Sequence, residues 1–241
     1  MEAAAVAPPV TPPHANQHDA AAPGWRDKPL ADFVTALVAR EDPVLRAIRL
    51  ETPRRGLPAI SLGPDEGRIL HLLAASCGAR KAVEVGTLAG YSACWLARAL
   101  PADGVLHTVE ADPRHAAVAR ENLARAGLSG KVFVHEGPAA EVLPRLSEKG
   151  PFDLVFIDAD KGGYPVYARF AADHLRSGGL VVCDNAYLFG KLHRDDLDPS
   201  DEDAPKVPAM RRCLALLTDE SLFSSCAMIP TGEGMAVAVR R

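Results

Sequence analysis

Two short acidic motifs and a lysine carry the most chemistry in this chain. The apolar run Leu154-Val155-Phe156-Ile157 ends in Asp158-Ala159-Asp160-Lys161, and the run Leu180-Val181-Val182-Cys183 ends in Asp184-Asn185. Carboxylates and a carboxamide oxygen are hard ligands that suit Mg²⁺, Ca²⁺ or Mn²⁺ rather than zinc. Both apolar runs read as buried strands, and side chains at the carboxyl ends of neighbouring parallel strands converge where ligands bind. The pair points to metal-assisted chemistry. The plainer alternatives are turn capping for Asp158 and Asp184, a lone turn residue for Asn185, and a solvated Lys161 paired with Asp160.

A second constellation lies upstream. The segment Ala82-Val83-Glu84-Val85-Gly86-Thr87-Leu88-Ala89-Gly90-Tyr91-Ser92 reads as a strand, a glycine loop and a helix start. Glycines let backbone approach closely, and a helix N-terminus offers free N–H groups. Glu110 ends the next apolar run, 24 residues after Gly86. An acid there can accept hydrogen bonds from ribose hydroxyls. A dinucleotide fingerprint would read G-x-G-x-x-G, but Thr-Leu-Ala separates Gly86 from Gly90. Glu84 on the approach would also repel a pyrophosphate. A cofactor with a ribose and a cationic centre but no phosphate fits, and S-adenosylmethionine has those properties.

The elements that must position these residues alternate. Strands are predicted over 81–85, 105–109, 132–135, 154–157 and 180–183. Between them lie helices over 92–100, 114–126, 140–146 and 164–175, the last stopped by Gly178-Gly179. Such alternation predicts an α/β fold, a parallel sheet with helices on both faces. The end differs: a helix over 209–217, then strands over 223–229 and 235–239 joined by a turn-rich link, predict an antiparallel hairpin at one sheet edge. Three helices precede the alternation. Phe33, Val34, Leu37 and Val38 share a face of the first. Asp42 is the expected N-cap of the second, with Pro43 at its first position. The third starts at Gly63-Pro64-Asp65-Glu66.

The chain has 241 residues, is 48% hydrophobic and carries a net charge of −4. That suffices for one domain with a large core. Residues 1–24, rich in Ala and Pro, are expected to be a disordered tail. Residues 25–241 form the single domain, with N-terminal helices over 25–78 and a Rossmann-like core over 79–241. The acidic balance argues against a nucleic-acid or anionic-membrane surface. Cys77, Cys94, Cys183, Cys213 and Cys226 show no metal spacing and are expected as buried free thiols. A cytoplasmic location follows by elimination. The six carboxylates within 195–203 suit a solvated loop, or a flap over the site.

These motifs resemble a known family. Glu84 to Ser92, Glu110, Gly137-Pro138-Ala139, Asp158-Ala159-Asp160-Lys161, Asp184-Asn185 and Gly190-Lys191 are similar to the metal-dependent O-methyltransferases of the caffeoyl-CoA and catechol type, in their small bacterial branch. The resemblance implies a class I methyltransferase sheet of seven strands, mostly parallel, with a C-terminal antiparallel hairpin. It implies S-adenosylmethionine and a divalent metal, usually Mg²⁺, held by Asp158, Asp184 and Asn185. Lys161 would be the general base and Asp160 would sit at the acceptor pocket. Glu110 would hold the ribose and Glu84 would face the methionine part. Leu62, Gly86, Thr87, Ser92, Ala139 and Asp158 would line the rest of the cofactor site. A catechol or phenolic acceptor and a homodimer are expected, the dimer through the helices before Gly63. Phe189 stands where the plant enzymes often carry a polar residue, which weighs against caffeoyl-CoA. A nicotinamide-dependent oxidoreductase is the first competitor, and the glycine spacing speaks against it. A non-catalytic binder is the second, and it would have no need of a metal beside a base. Methyl transfer to nitrogen or RNA is open to the same fold.

Overall fold

Five parallel strands bring their carboxyl ends to one edge, and the register decides which residues meet there. The structure is a computed structural model that describes residues 27–241. The expected tail over 1–24 lies outside the described residues. The strands are β1 (Lys81–Val85), β2 (Val105–Glu110), β3 (Val132–Glu136), β4 (Phe152–Ile157), β5 (Leu175–Cys183), β6 (Phe223–Ile229) and β7 (Met235–Arg240). They form one sheet in the order β3-β2-β1-β4-β5-β7-β6. β1 to β5 run parallel, while β7 is antiparallel to both β5 and β6. The α/β class, the seven strands and the terminal hairpin agree with expectation.

The pairings Val85↔Val109, Val85↔Ile157 and Ile157↔Cys183 align three strand ends beside β1. One residue further along, Glu110, Gly86, Asp158 and Asp184 leave the same edge. Four residues far apart in sequence thus become neighbours through backbone hydrogen bonding alone.

Helices cover both faces. α3 (Pro64–Ser76), α4 (Tyr91–Ala99) and α5 (Pro113–Arg125) bury Leu70, Leu96 and Leu123 in one core layer with Leu154 and Phe156. α6 (Ala139–Leu146), α7 (Tyr164–His174) and α8 (Lys206–Leu217) bury Leu143, Tyr164 and Met210 in the other, with Val155 and Ile157. The alternating faces of β4 therefore feed two separate cores, as period-two side chains require.

Local chemistry sets several boundaries. Asp42 caps α2 (Pro43–Arg54), accepting from Leu45 N at 2.8 Å, as its sequence predicts. Asp112 caps α5 in the same way. α8 begins three residues before its expected start. Pro208 falls in its first turn, where the N–H that proline lacks has no helical partner.

Two expectations are corrected. Gly178 and Gly179 do not stop α7, which ends at His174. They lie inside β5, where Gly178 takes φ +74 and the β4–β5 register shifts between Phe152 and Leu154. A glycine in the left-handed region accommodates the irregularity without ending the strand. Cys94, Cys183 and Cys213 are buried free thiols, but Cys77 and Cys226 are only partly covered. The apolar face of α1 (Lys28–Val38) also finds no cover among the described residues: Leu30, Phe33, Val34, Leu37 and Val38 are all exposed. No helix among the described residues is long and apolar enough to cross a membrane.

Candidate active site

The carboxyl edge opens into a cavity of about 840 Å³. Leu62, Gly86, Thr87, Ser92, Glu110, Ala139, Asp158, Asp160, Lys161 and Asn185 all line it. Glu84 and Asp184 are not on its wall; both are buried just behind it, at 0% and 2% exposure.

Gly86 explains the tightness of the junction. Its φ is +98, and a Cβ there would lie 1.8 Å from the carbonyl oxygen of Asp158. Asp158 N in turn donates to Val85 O at 2.8 Å. The glycine permits approach to the neighbouring strand end, a role distinct from the approach to a ligand that the sequence suggests.

Glu110 organises the glycine loop. Its Oε2 accepts from Thr87 N at 3.2 Å and Leu88 N at 2.7 Å, and its Oε1 from Asp112 N at 3.0 Å. Both lone pairs of Oε2 are thus engaged, and Oε1 keeps one for a ligand hydroxyl. Glu84 is deeper. Its Oε2 accepts from Thr108 Oγ1 at 2.6 Å, while Oε1 is buried without a partner. Burial pushes its carboxyl up to about 8, reinforced by the charges of Asp158 and Glu110 and only partly opposed by the hydroxyls of Ser92 and Thr108. A cationic group in the adjoining cavity would relieve that penalty.

Lys161 and Asp158 meet on the same cavity wall. Lys161 Nζ donates to Asp158 Oδ1 at 3.2 Å, to Ala159 O at 3.1 Å and to Tyr164 Oη at 2.7 Å. Tyr164 Oη also lies 3.3 Å from Ile157 O and 3.1 Å from Asp184 O. It ties the lysine to the ends of both central strands. Tyr164 does not line the cavity, whereas Tyr167 does, donating to Asp160 Oδ1 at 2.6 Å.

The fit of a cation can be tested on these atoms. Asp184 Oδ1 is buried and unpartnered. Burial pushes the Asp184 carboxyl up to about 8, with further upward contributions from Asp158 and Glu66. Glu66, at the start of α3, is itself raised, first by burial and then by Asp65 and Asp158. An unpaired buried carboxylate is costly, and a divalent cation would supply the missing partner. Among the described residues no group of three or more His, Cys, Asp and Glu side chains is placed to hold a metal. The expected set has two carboxylates and the Asn185 amide, so it falls outside that description. Asn185 takes φ +51, a conformation Asn tolerates better than most residues. The residues fit a hard cation.

Several participants carry no motif. Glu66 was read only as a helix start. In the sequence, Tyr164 and Tyr167 suit helix packing and the acceptor pocket equally well. Lys206, which also lines the cavity, gives no signal beyond charge, whereas Lys191, part of the Gly190-Lys191 resemblance, pairs with Asp201 and Asp203. The acidic run is thereby partly anchored: Asp203 is 4% exposed and contacts Lys191 and Lys206.

A seven-stranded sheet of this order with such a carboxyl-edge cavity defines a class I methyltransferase fold. Residues 35–241 match the family model described as O-methyltransferase. The chain is 42% identical over 213 residues to a catechol O-methyltransferase of Niastella koreensis, spanning 86% of this chain and 94% of the relative. Among solved structures, the O-methyltransferase from Bacillus cereus in complex with SAH superposes with a TM-score of 0.82 at 32% identity, covering 88% of this chain and 97% of that one. TomG from Streptomyces achromogenes, involved in tomaymycin synthesis and solved with SAM, gives 0.81 at 34% identity, covering 89% and 97%. The chain belongs to the O-methyltransferase family. It is an O-methyltransferase.

Proposed function

We propose that the protein transfers the methyl group of S-adenosylmethionine to one hydroxyl of a catechol-like small molecule, with a divalent cation, usually Mg²⁺, holding the diol. The observation that carries this reading is that Asp158, Asn185 and Lys161 line the same cavity as Glu110 and the glycine loop, with the buried, unpartnered Asp184 carboxyl just behind them. The catechol relative and the structures solved with SAM and SAH support it.

Asp158, Asp184 and Asn185 would hold the cation. When bound, such a cation acidifies and orients a hydroxyl placed on it. Lys161, fixed by Tyr164 and the Ala159 carbonyl, would take the hydroxyl proton at Nζ as the neutral amine, its ammonium proton having first passed to solvent. Glu110 accepts from the ribose hydroxyls, and Glu84 faces the methionine ammonium from behind the wall. Leu62, Gly86, Thr87, Ser92 and Ala139 complete the cofactor walls, while Asp160 borders the acceptor. Methyl transfer is an in-line displacement, so the positioning of donor and acceptor supplies much of the rate.

The same reading includes a homodimer. α1 exposes five large apolar side chains, and a contiguous patch of this kind marks an interaction surface. It also includes a cytoplasmic location, which the free cysteines suit.

Methyl transfer from labelled S-adenosylmethionine to catechol, with Mg²⁺ and with EDTA, tests the reading in the parent and in Asp158→Ala. Turnover that needs the metal and is lost in the variant is expected. Equal turnover under EDTA would remove the cation from the account.

A further inference from the structure

We propose, resting on the assignment of Glu84 to the methionine ammonium, that Thr108 is the positioning residue for that contact, holding the Glu84 carboxylate through a hydroxyl chain that begins at the cavity wall. Glu84 and Thr108 stand opposite each other in the β1–β2 register, and both are fully buried. They share a sheet face with Ala82 and Leu106, which belong to the apolar layer beneath α3, α4 and α5. A hydroxyl in such a layer is unfavourable unless it is hydrogen-bonded. Valine has nearly the same shape without that penalty.

The chain of hydroxyls has a direction. Thr108 Oγ1 donates to Glu84 Oε2 at 2.6 Å. An ionised carboxylate only accepts, and a hydroxyl has one proton to give. In the 2.5 Å contact between Thr87 Oγ1 and Thr108 Oγ1, Thr108 therefore accepts and Thr87 donates. Thr87 lines the cavity, and its backbone N–H donates to Glu110 Oε2 at 3.2 Å. One residue of the glycine loop joins the carboxylate assigned to the ribose to the one assigned to the ammonium. With Oε2 engaged by Thr108, Oε1 is the oxygen left buried without a partner.

The carboxylate needs this support. Burial, and then the charges of Asp158 and Glu110, favour the neutral form of Glu84. A neutral acid offers a cation no countercharge. A hydrogen bond donated to the ionised form favours that form, and Thr108 supplies one from the side away from Oε1. The cofactor's ammonium is the group that should register its loss, while the adenosine should not.

Calorimetric binding of S-adenosylmethionine, S-adenosylhomocysteine and 5′-methylthioadenosine tests this. The third ligand keeps the adenosine and the thioether but lacks the amino-acid end. Thr108→Val should weaken the first two about tenfold each and the third by less than about twofold. Thr108→Ser, which keeps the hydroxyl, should restore both. If the valine variant does not fold, Thr108→Ala read against Thr108→Ser makes the same comparison. Unchanged S-adenosylmethionine affinity without the hydroxyl, or equal weakening of all three ligands, would overturn the proposal. So would an effect confined to S-adenosylmethionine, which alone carries the sulfonium. Glu84→Gln separates the two readings. It should weaken the first two ligands and spare the third. If it does so while Thr108→Val does not, only the role of Thr108 falls. If Glu84→Gln binds all three as the parent does, the assignment of Glu84 falls with it.

Discussion

Tyr164 Oη sits 2.7 Å from Lys161 Nζ and within hydrogen-bonding distance of the carbonyls of Ile157 and Asp184. The phenol has one proton to donate, so it serves one carbonyl at a time and accepts from the lysine. Burial, with Asp158 as the leading charge, holds it firmly neutral. Tyr164→Phe should lower kcat about tenfold with little change in KM, because the base loses its fixed position. It should also cost about 1–3 kcal/mol of stability. Steady-state kinetics beside urea denaturation would separate the two effects. An unchanged kcat would show that the phenol is only a structural tie.

Gly86→Ala should destabilise the chain by roughly 2–4 kcal/mol. A methyl group there meets the Asp158 carbonyl at 1.8 Å in a backbone of φ +98. Gly127→Ala is the control. It shares a positive φ of +72 but has nothing within 4 Å, so only conformational strain of about 1 kcal/mol applies. Similar denaturation midpoints for the two variants would contradict the steric account.

Cation affinity should rise with pH up to about 8. The Asp184 carboxyl is raised to about that value, so below it the metal-free site holds a proton that a cation must displace. Affinity for Mn²⁺ should fall by up to about tenfold per pH unit on the acid side and level off above. Calorimetry in buffers of different ionisation enthalpy should detect proton release. A pH-independent affinity would remove Asp184 from the ligand set.

Glu84 makes a separate pH prediction. Its folded value of about 8 lies above its ordinary 4.5. Between those values the native chain holds a proton that the unfolded chain lacks, so raising the pH removes stability. Glu84→Gln should flatten that decline, although Asp184 contributes with the same sign in the metal-free protein. Melting temperature against pH for both proteins is the check. The variant should also bind S-adenosylmethionine more weakly, since Glu84 is the carboxylate assigned to its ammonium.

The order of elements and the site motifs were legible because period-two and period-3.6 patterns and strand-end acids are local signals. The strands over 81–85 and 223–229 have the bounds expected from sequence. What escaped depended on contacts between distant segments. Gly178 reads as a helix stop until the β4–β5 pairing reveals a strand irregularity. Tyr164 reads as core until its hydroxyl is seen beside Lys161. Glu66 and Lys206 acquire meaning only when α3 and α8 close around one edge. The apolar face of α1 was legible as a face, but nothing among the described residues covers it.

The chelation claim is tested most directly by comparing catechol with resorcinol as acceptors at saturating Mg²⁺ and S-adenosylmethionine. Only the vicinal diol can place both oxygens on one cation. The account predicts rapid methylation of catechol that EDTA abolishes, and negligible methylation of resorcinol. Comparable rates for the two diols, or catechol turnover that survives EDTA, would contradict it.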